Sequence, residues 1–144
     1  MLESMDINYI AILVASVVQF IIGAIWYMPL FGGLWGRIHG FDTKAPEVQA
    51  EMRKGMLPLL IVQFIGTLVT STVFVLLLNG MPYDWNRYGL VGFMWLGFVV
   101  PTQVSAVLFG GTPPQWIVKK ILVMAFGSLA CLEALAFVVV TMGS

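Results

Sequence analysis

The run Ile117–Thr141, IVKKILVMAFGSLACLEALAFVVVT, decides the fold of this chain. Beyond Lys119 and Lys120 it carries a single charged residue, Glu133, and is otherwise apolar or small. A helix rises ~1.5 Å per residue, so ~20 such residues cross ~30 Å of hydrocarbon. Three runs of the same kind precede it, at about residues 8–30, 57–79 and 88–109. Within hydrocarbon every backbone N–H and C=O must be bonded inside the protein, and a helix does this locally. The reading is therefore an all-α integral membrane protein. Four transmembrane helices form a single domain over residues 1–144, with a connection at about 31–56.

Composition excludes the other broad classes. Of 144 residues, 60% are hydrophobic and 10% charged; soluble domains carry about 25% charged residues. So few charges cannot cover a water-soluble globule, and so many apolar residues exclude disorder. Seven basic residues balance seven acidic ones, and no basic stripe calls for nucleic acid. Cys131 stands alone, which excludes an intrachain disulfide, a Cys-based metal site and thiol-pair redox chemistry. His39, without a second ligand nearby in sequence, reads as a solvated side chain. There is no nucleophile–base pair, metal cluster or phosphate-cradling loop, so the expectation is a protein that is not an enzyme and needs no cofactor or metal.

Orientation follows from charge. The leader Met1–Asp6 holds Glu3 and Asp6 and no basic residue, the reverse of a cleavable signal. Arg37, Lys44, Arg53, Lys54, Lys119 and Lys120 fall on one side of the four spans, Arg87 alone on the other. Positive residues favour the cytoplasmic side. Loops 37–55 and 110–116 are thus expected in the cytoplasm, both termini outside, and a bacterial inner membrane is the expected location. Tyr9, Tyr83, Trp85 and Tyr88 fit the outer interface, Trp26, Tyr27, Trp35 and Trp116 the inner one, while Trp95 should lie deeper. In the connection, Pro46 suits a first helical turn and Gly55 a stop, so residues 46–54 read as a short surface helix or as a basic solvated linker.

Leu30-Phe31-Gly32-Gly33 recurs as Leu108-Phe109-Gly110-Gly111, and Phe64-Ile65-Gly66-Thr67-Leu68 resembles Ala125-Phe126-Gly127-Ser128-Leu129. Two tandem helical hairpins in the same orientation would explain this, as in transporters with parallel repeats. Chance matching among Leu, Phe and Gly is the alternative.

Polar residues inside the spans are the candidate functional groups. Glu133 would cost roughly 2.5–3.5 kcal/mol on insertion scales, so it should face protein or water. It is either a proton- or cation-binding carboxyl or a neutral acid bonding between helices. Gln19, Gln63 and Gln103 lie in three different helices. Small residues let helices approach and amides bond across them, which makes interhelical glue the default reading. A polar cavity lined by Gln19, Gln63, Gln103 and Glu133 is the sharper one. Pro101 displaces the carbonyl of Gly97 and removes an N–H, so helix three should kink there. At the end of helix one, Trp26, Tyr27, Pro29 and Trp35 form a candidate interfacial motif, read as an anchor or as a headgroup or ligand pocket. Gln19, Gly23, Trp26 and Leu30 would share one helical face.

These residues carry a resemblance. Gly23-Ala24-Ile25-Trp26-Tyr27-Met28-Pro29-Leu30-Phe31-Gly32 is similar to a segment at the end of helix one in the uncharacterised membrane family called domain of unknown function 1761. Met52-Arg53-Lys54-Gly55-Met56, and Trp95-Leu96-Gly97-Phe98 with Pro101, also resemble that family. The resemblance implies a four-helix topology and no particular reaction. Small multidrug-resistance transporters fit less well, since their carboxyl lies in helix one and this acid in helix four. The function expected is a self-associating or accessory membrane component whose partners are the bilayer and either its own copies or a membrane complex. The alternative is a small oligomeric transporter or channel using Glu133.

Overall fold

The computed structural model describes residues 7–142; the acidic leader Met1–Asp6 lies outside these. Asn8 caps the first helix, α1 (Tyr9–Ile25), by accepting from the Ala11 N–H at 3.0 Å. The helix continues through a π turn, Trp26–Leu30, which contains Pro29. Proline has no N–H and its ring clashes with the carbonyl four residues back, and the wider turn accommodates both. Phe31 (φ −118°) then breaks the path, and α2 (Gly32–Ile38) follows. Gly40, at φ 70°, turns the chain into a short 3-10 segment, Phe41–Thr43. α3 (Pro46–Lys54) is the helical form of the two readings for the connection, with Pro46 in its first turn and Gly55 beyond its end.

α4 (Met56–Asn79) is uninterrupted. α5 (Arg87–Met94) starts at Asn86, whose side chain accepts from the Gly89 N–H at 3.1 Å. It runs through a second π turn, Trp95–Val99, into α6 (Val100–Phe109). The expected kink at Gly97 and Pro101 thus takes the form of a π turn, with Pro101 in the first turn of the helix after it. A 3-10 turn, Pro114–Trp116, leads into α7 (Ile117–Met142). Four stretches are long and apolar enough to cross a membrane: Tyr9–Leu30, Met56–Asn79, Arg87–Phe109 and Pro114–Met142. Among the described residues there is no strand.

The repeated Leu-Phe-Gly-Gly segments fold differently. Gly32 and Gly33 open α2, whereas Gly111 makes a left-handed turn at φ 77°. The residues that follow decide this. Leu34-Trp35 continue a helix, but Pro113 biases Thr112 away from helical geometry, and the next helical turn starts only at Pro114.

α7 is the hub. α1 packs against α7 and α4, while α5 and α6 pack against α7. α4 touches α7 but makes little contact with α5 or α6, so the two hairpins are not packed equivalently. The core gathers toward one end, from Ile12 and Ala15 of α1, Val75 and Leu78 of α4, Val91 of α5, and Leu132, Leu135, Ala136, Val138 and Val139 of α7. The first half of α4 stands apart from this core. Leu57, Leu59, Ile61, Val62 and Ile65 are all exposed there.

Candidate functional site

The polar side chains inside the spans resolve into separate groups set around α7. The first joins three helices. Gln19 is buried on α1, and its Nε2 donates to Ser71 Oγ of α4 at 2.7 Å and to the Ala15 carbonyl at 3.1 Å. Cys131 Sγ of α7 approaches the Gln19 carbonyl at 3.5 Å. One turn earlier on α1, the buried Ser16 hydroxyl donates to the Ile12 carbonyl at 2.7 Å. None of the side-chain polar atoms of Gln19, Ser71, Ser16 and Cys131 is buried without a partner, which removes the cost of an unpaired polar atom in an apolar interior.

The second group ties the third span to α7. Trp95 Nε1 donates to the Ala125 carbonyl at 2.8 Å and to Ser128 Oγ at 3.1 Å. Gln103 Nε2 reaches the Met124 carbonyl at 3.4 Å, and the Ser128 hydroxyl donates to the Ala125 carbonyl at 2.8 Å and to Gln103 Oε1 at 3.4 Å. Trp95 is half-buried, as are Trp26, Trp35 and Trp116.

Trp26 supplies a third tie. Its indole Nε1 donates to the Val123 carbonyl of α7 at 2.9 Å. Gly127 makes this possible. A Cβ there would sit 2.7 Å from Trp26 Nε1 and 2.8 Å from Cδ1, so only glycine lets the ring come this close to α7. The two indoles come from the first residues of the two π turns and hold carbonyls two residues apart on the same helix. Sequence spacing placed Trp26 among interfacial anchors. The structure turns it inward, and Gly127, in the middle of an apolar run, was the available sign that a ring needed room.

The interfacial motif accordingly divides. Trp26 packs on Phe31 with ring centroids 4.7 Å apart. Tyr27 meets Trp35 edge-on at 4.8 Å, and Trp35 in turn meets the His39 ring at 4.5 Å. Pro29 and Leu30 are exposed. The face expected to unite Gln19, Gly23, Trp26 and Leu30 is broken at Trp26, because a π turn holds more residues than an α turn and rotates every later position.

Glu133 is half-buried on α7. Its Oε1 lies 3.5 Å from where a Cβ at Gly92 of α5 would be, so the carboxyl sits at the α5–α7 interface. Its Oε2 is buried and has no hydrogen-bond partner among the described residues, a state it shares with Asn79 Nδ2 and Thr112 Oγ1. Gln63, on the splayed half of α4, is exposed. Its carbonyl accepts from Thr67 Oγ1 at 2.9 Å. The four residues considered as one cavity lining are thus in four surroundings: Gln19 against Ser71, Gln103 against Ser128, Glu133 against Gly92, and Gln63 outward. Among the described residues no cluster of His, Cys, Asp and Glu could hold a metal ion.

A family model described as protein of unknown function, DUF1761, matches residues 10–140. No curated protein and no solved structure matches the chain.

Proposed function

This chain belongs to the DUF1761 family, and from that premise we propose that it is a non-enzymatic, self-associating component of a membrane. It spans the bilayer four times, with both termini outside and the α2–α3 connection and the 110–116 turn in the cytoplasm of a bacterial cell. One observation carries the self-association: Gln63 is an exposed amide within an otherwise apolar stretch of α4. Lipid offers an amide no partner, whereas a second copy of the same side chain both donates and accepts across a two-fold axis. The exposed apolar residues around it supply packing area.

The test is energy transfer between labelled copies in vesicles as lipid dilutes them. Wild-type protein is expected to associate. Gln63→Leu should weaken association roughly threefold to thirtyfold, the range for an interhelical hydrogen bond of ~0.6–2 kcal/mol. A wild-type protein that stays monomeric at every dilution overturns the reading. The same holds if the leucine variant associates as tightly as the wild type. Reporters on residues 37–55 and on either terminus should respond from opposite faces of the membrane.

A second reading rests on Glu133, whose buried, unpartnered Oε2 suits a carboxyl that binds and releases a proton or cation during transport. Purified Glu133→Gln protein that still assembles but loses a pH-driven flux present in the wild type would favour transport. Absence of flux in the wild type removes that reading.

A further inference from the structure

The basic end of the bundle holds an arrangement that neither self-association nor transport uses. Lys119 and Lys120 are consecutive residues in the first turn of α7, and each lies over a different indole. Lys119 Nζ is 5.3 Å from the Trp116 ring centre, and Lys120 Nζ is 5.7 Å from that of Trp35 on α2. The Trp35 ring also carries His39, whose Nδ1 donates to the Trp35 carbonyl at 2.9 Å. Arg37, exposed between Trp35 and His39, adds a further cation. Three basic side chains, Lys119, Lys120 and His39, thus stand against two tryptophans, with Arg37 on the same short helix as Trp35.

An ammonium over a ring is attracted by the ring face, but the contact satisfies none of its N–H donors. Those donors stay available for an anion. Local acids do not balance the charge. On this end of the bundle six basic residues face three acidic ones, Asp42, Glu47 and Glu51, all on the α2–α3 connection and α3. On α7 itself the only acid is Glu133, more than three helical turns beyond Lys120. The N-terminal end of α7 adds its own partial positive charge to the two lysines.

We propose that Trp35, Trp116, Lys119 and Lys120, with Arg37 and His39 at the rim, seat the phosphate headgroup of an anionic glycerophospholipid. Depth selects a lipid over a free phosphate. Both tryptophans stand at the ends of apolar spans, Trp35 a few residues past Tyr9–Leu30 and Trp116 within the first turn of Pro114–Met142. Amphipathic rings settle at headgroup level in that position, with acyl chains beside the span below them.

The experiment uses the full chain in phosphatidylcholine vesicles. Part of the lipid is replaced by phosphatidylglycerol, or by more phosphatidylcholine, brominated near the headgroup, and tryptophan fluorescence is followed. Brominated phosphatidylglycerol is expected to quench more strongly than brominated phosphatidylcholine at equal mole fraction. K119Q/K120Q should cut that preference roughly thirtyfold, at ~1 kcal/mol per basic residue. K119R/K120R keeps the charges and should keep most of it. K44Q/K54Q removes two cations from the same end but outside the seat, and should leave the preference nearly intact.

Equal quenching by the two lipids in the wild type overturns the proposal. So does a loss in K44Q/K54Q as large as in K119Q/K120Q, which would mean diffuse surface charge. Inorganic phosphate that abolishes the preference would show a free anion to be the occupant and would overturn the lipid assignment. Should K119Q/K120Q lose its helical circular dichroism, Trp35→Leu gives the same test from the aromatic side. A preference unchanged in that variant is equally fatal.

Discussion

One half of the bundle is held by aliphatic packing and the other by indoles. Around Ile12, Val75, Leu78 and Leu135 the side chains are almost wholly buried, and α1, α4, α5 and α7 meet with little between them. Toward the basic end the same helices diverge. α4 leaves many of its apolar residues exposed and α6 exposes Pro101, Thr102 and Phe109; among the contacts that remain are the indoles of Trp26 and Trp95 on carbonyls of α7, Gln103 on Ser128, and the Phe20–Phe64 ring pair between α1 and α4. Burial also differs from span to span. The span Pro114–Met142, the hub, buries 44% of its most apolar window, against 28% for Tyr9–Leu30, 17% for Met56–Asn79 and 11% for Arg87–Phe109. Lipid is as apolar as leucine, so helices in a bilayer gain from close packing and hydrogen bonds rather than from escaping water. Close packing serves where small residues such as Ala11, Ala15 and Ala136 let backbones approach. Where the helices splay, a hydrogen-bonded ring bridges the wider gap.

The comparison can be broken most directly in the packed half. Leu135 is fully buried, so Leu135→Ala should open a cavity and destabilise the fold by about 3 kcal/mol. Loss of helicity during titration of a harsh detergent into mild micelles measures it. In the splayed half the largest effect should come from Gly127→Ala. The added methyl collides with the Trp26 ring, and overpacking of this kind costs about 2 kcal/mol. Trp26→Phe keeps an aromatic ring but removes the donor to Val123, and should cost about 1 kcal/mol in the same titration. In the double variant Gly127→Ala with Trp26→Ala the penalties should fall short of additive, because the clash disappears with the ring. Smallest of all, Gln63→Leu should change the stability of a single copy by less than about 0.5 kcal/mol, since the side chain is exposed. Its effect belongs to association alone. If Trp26→Phe proved more damaging than Leu135→Ala, the two halves would have been assigned the wrong supports.

Much of this architecture was legible in the residues. Apolar runs at 8–30, 57–79, 88–109 and 117–141 correspond to the helical stretches Tyr9–Leu30, Met56–Asn79, Arg87–Phe109 and Pro114–Met142. Pro29 and Pro101 marked the two disturbed turns, and Pro46 with Gly55 framed α3. The candidate polar residues were also visible as residues. Gln19, Gln103 and Glu133 do lie at helix contacts, and Gln63 does not. What could not be read was their company. α4 is apolar over most of its circumference, so its pattern does not say which face turns inward, and Gln63 and Ser71, both on α4, end in different surroundings. Leu30 leaves the face it shares by count with Gln19, Gly23 and Trp26 because counting residues at α-helical spacing fails across the π turn that begins at Trp26.

The sequence by itself determined that this chain forms four long helices, because that outcome depends only on apolar length and on backbone groups that each helix satisfies within itself. Tertiary structure alone decided that α7 is the hub, that Gln19 finds Ser71, that Gly127 makes room for an indole and that Gln63 is left facing out. Those outcomes depend on the rotation and tilt of one helix against another, and a helix whose whole circumference is apolar records neither.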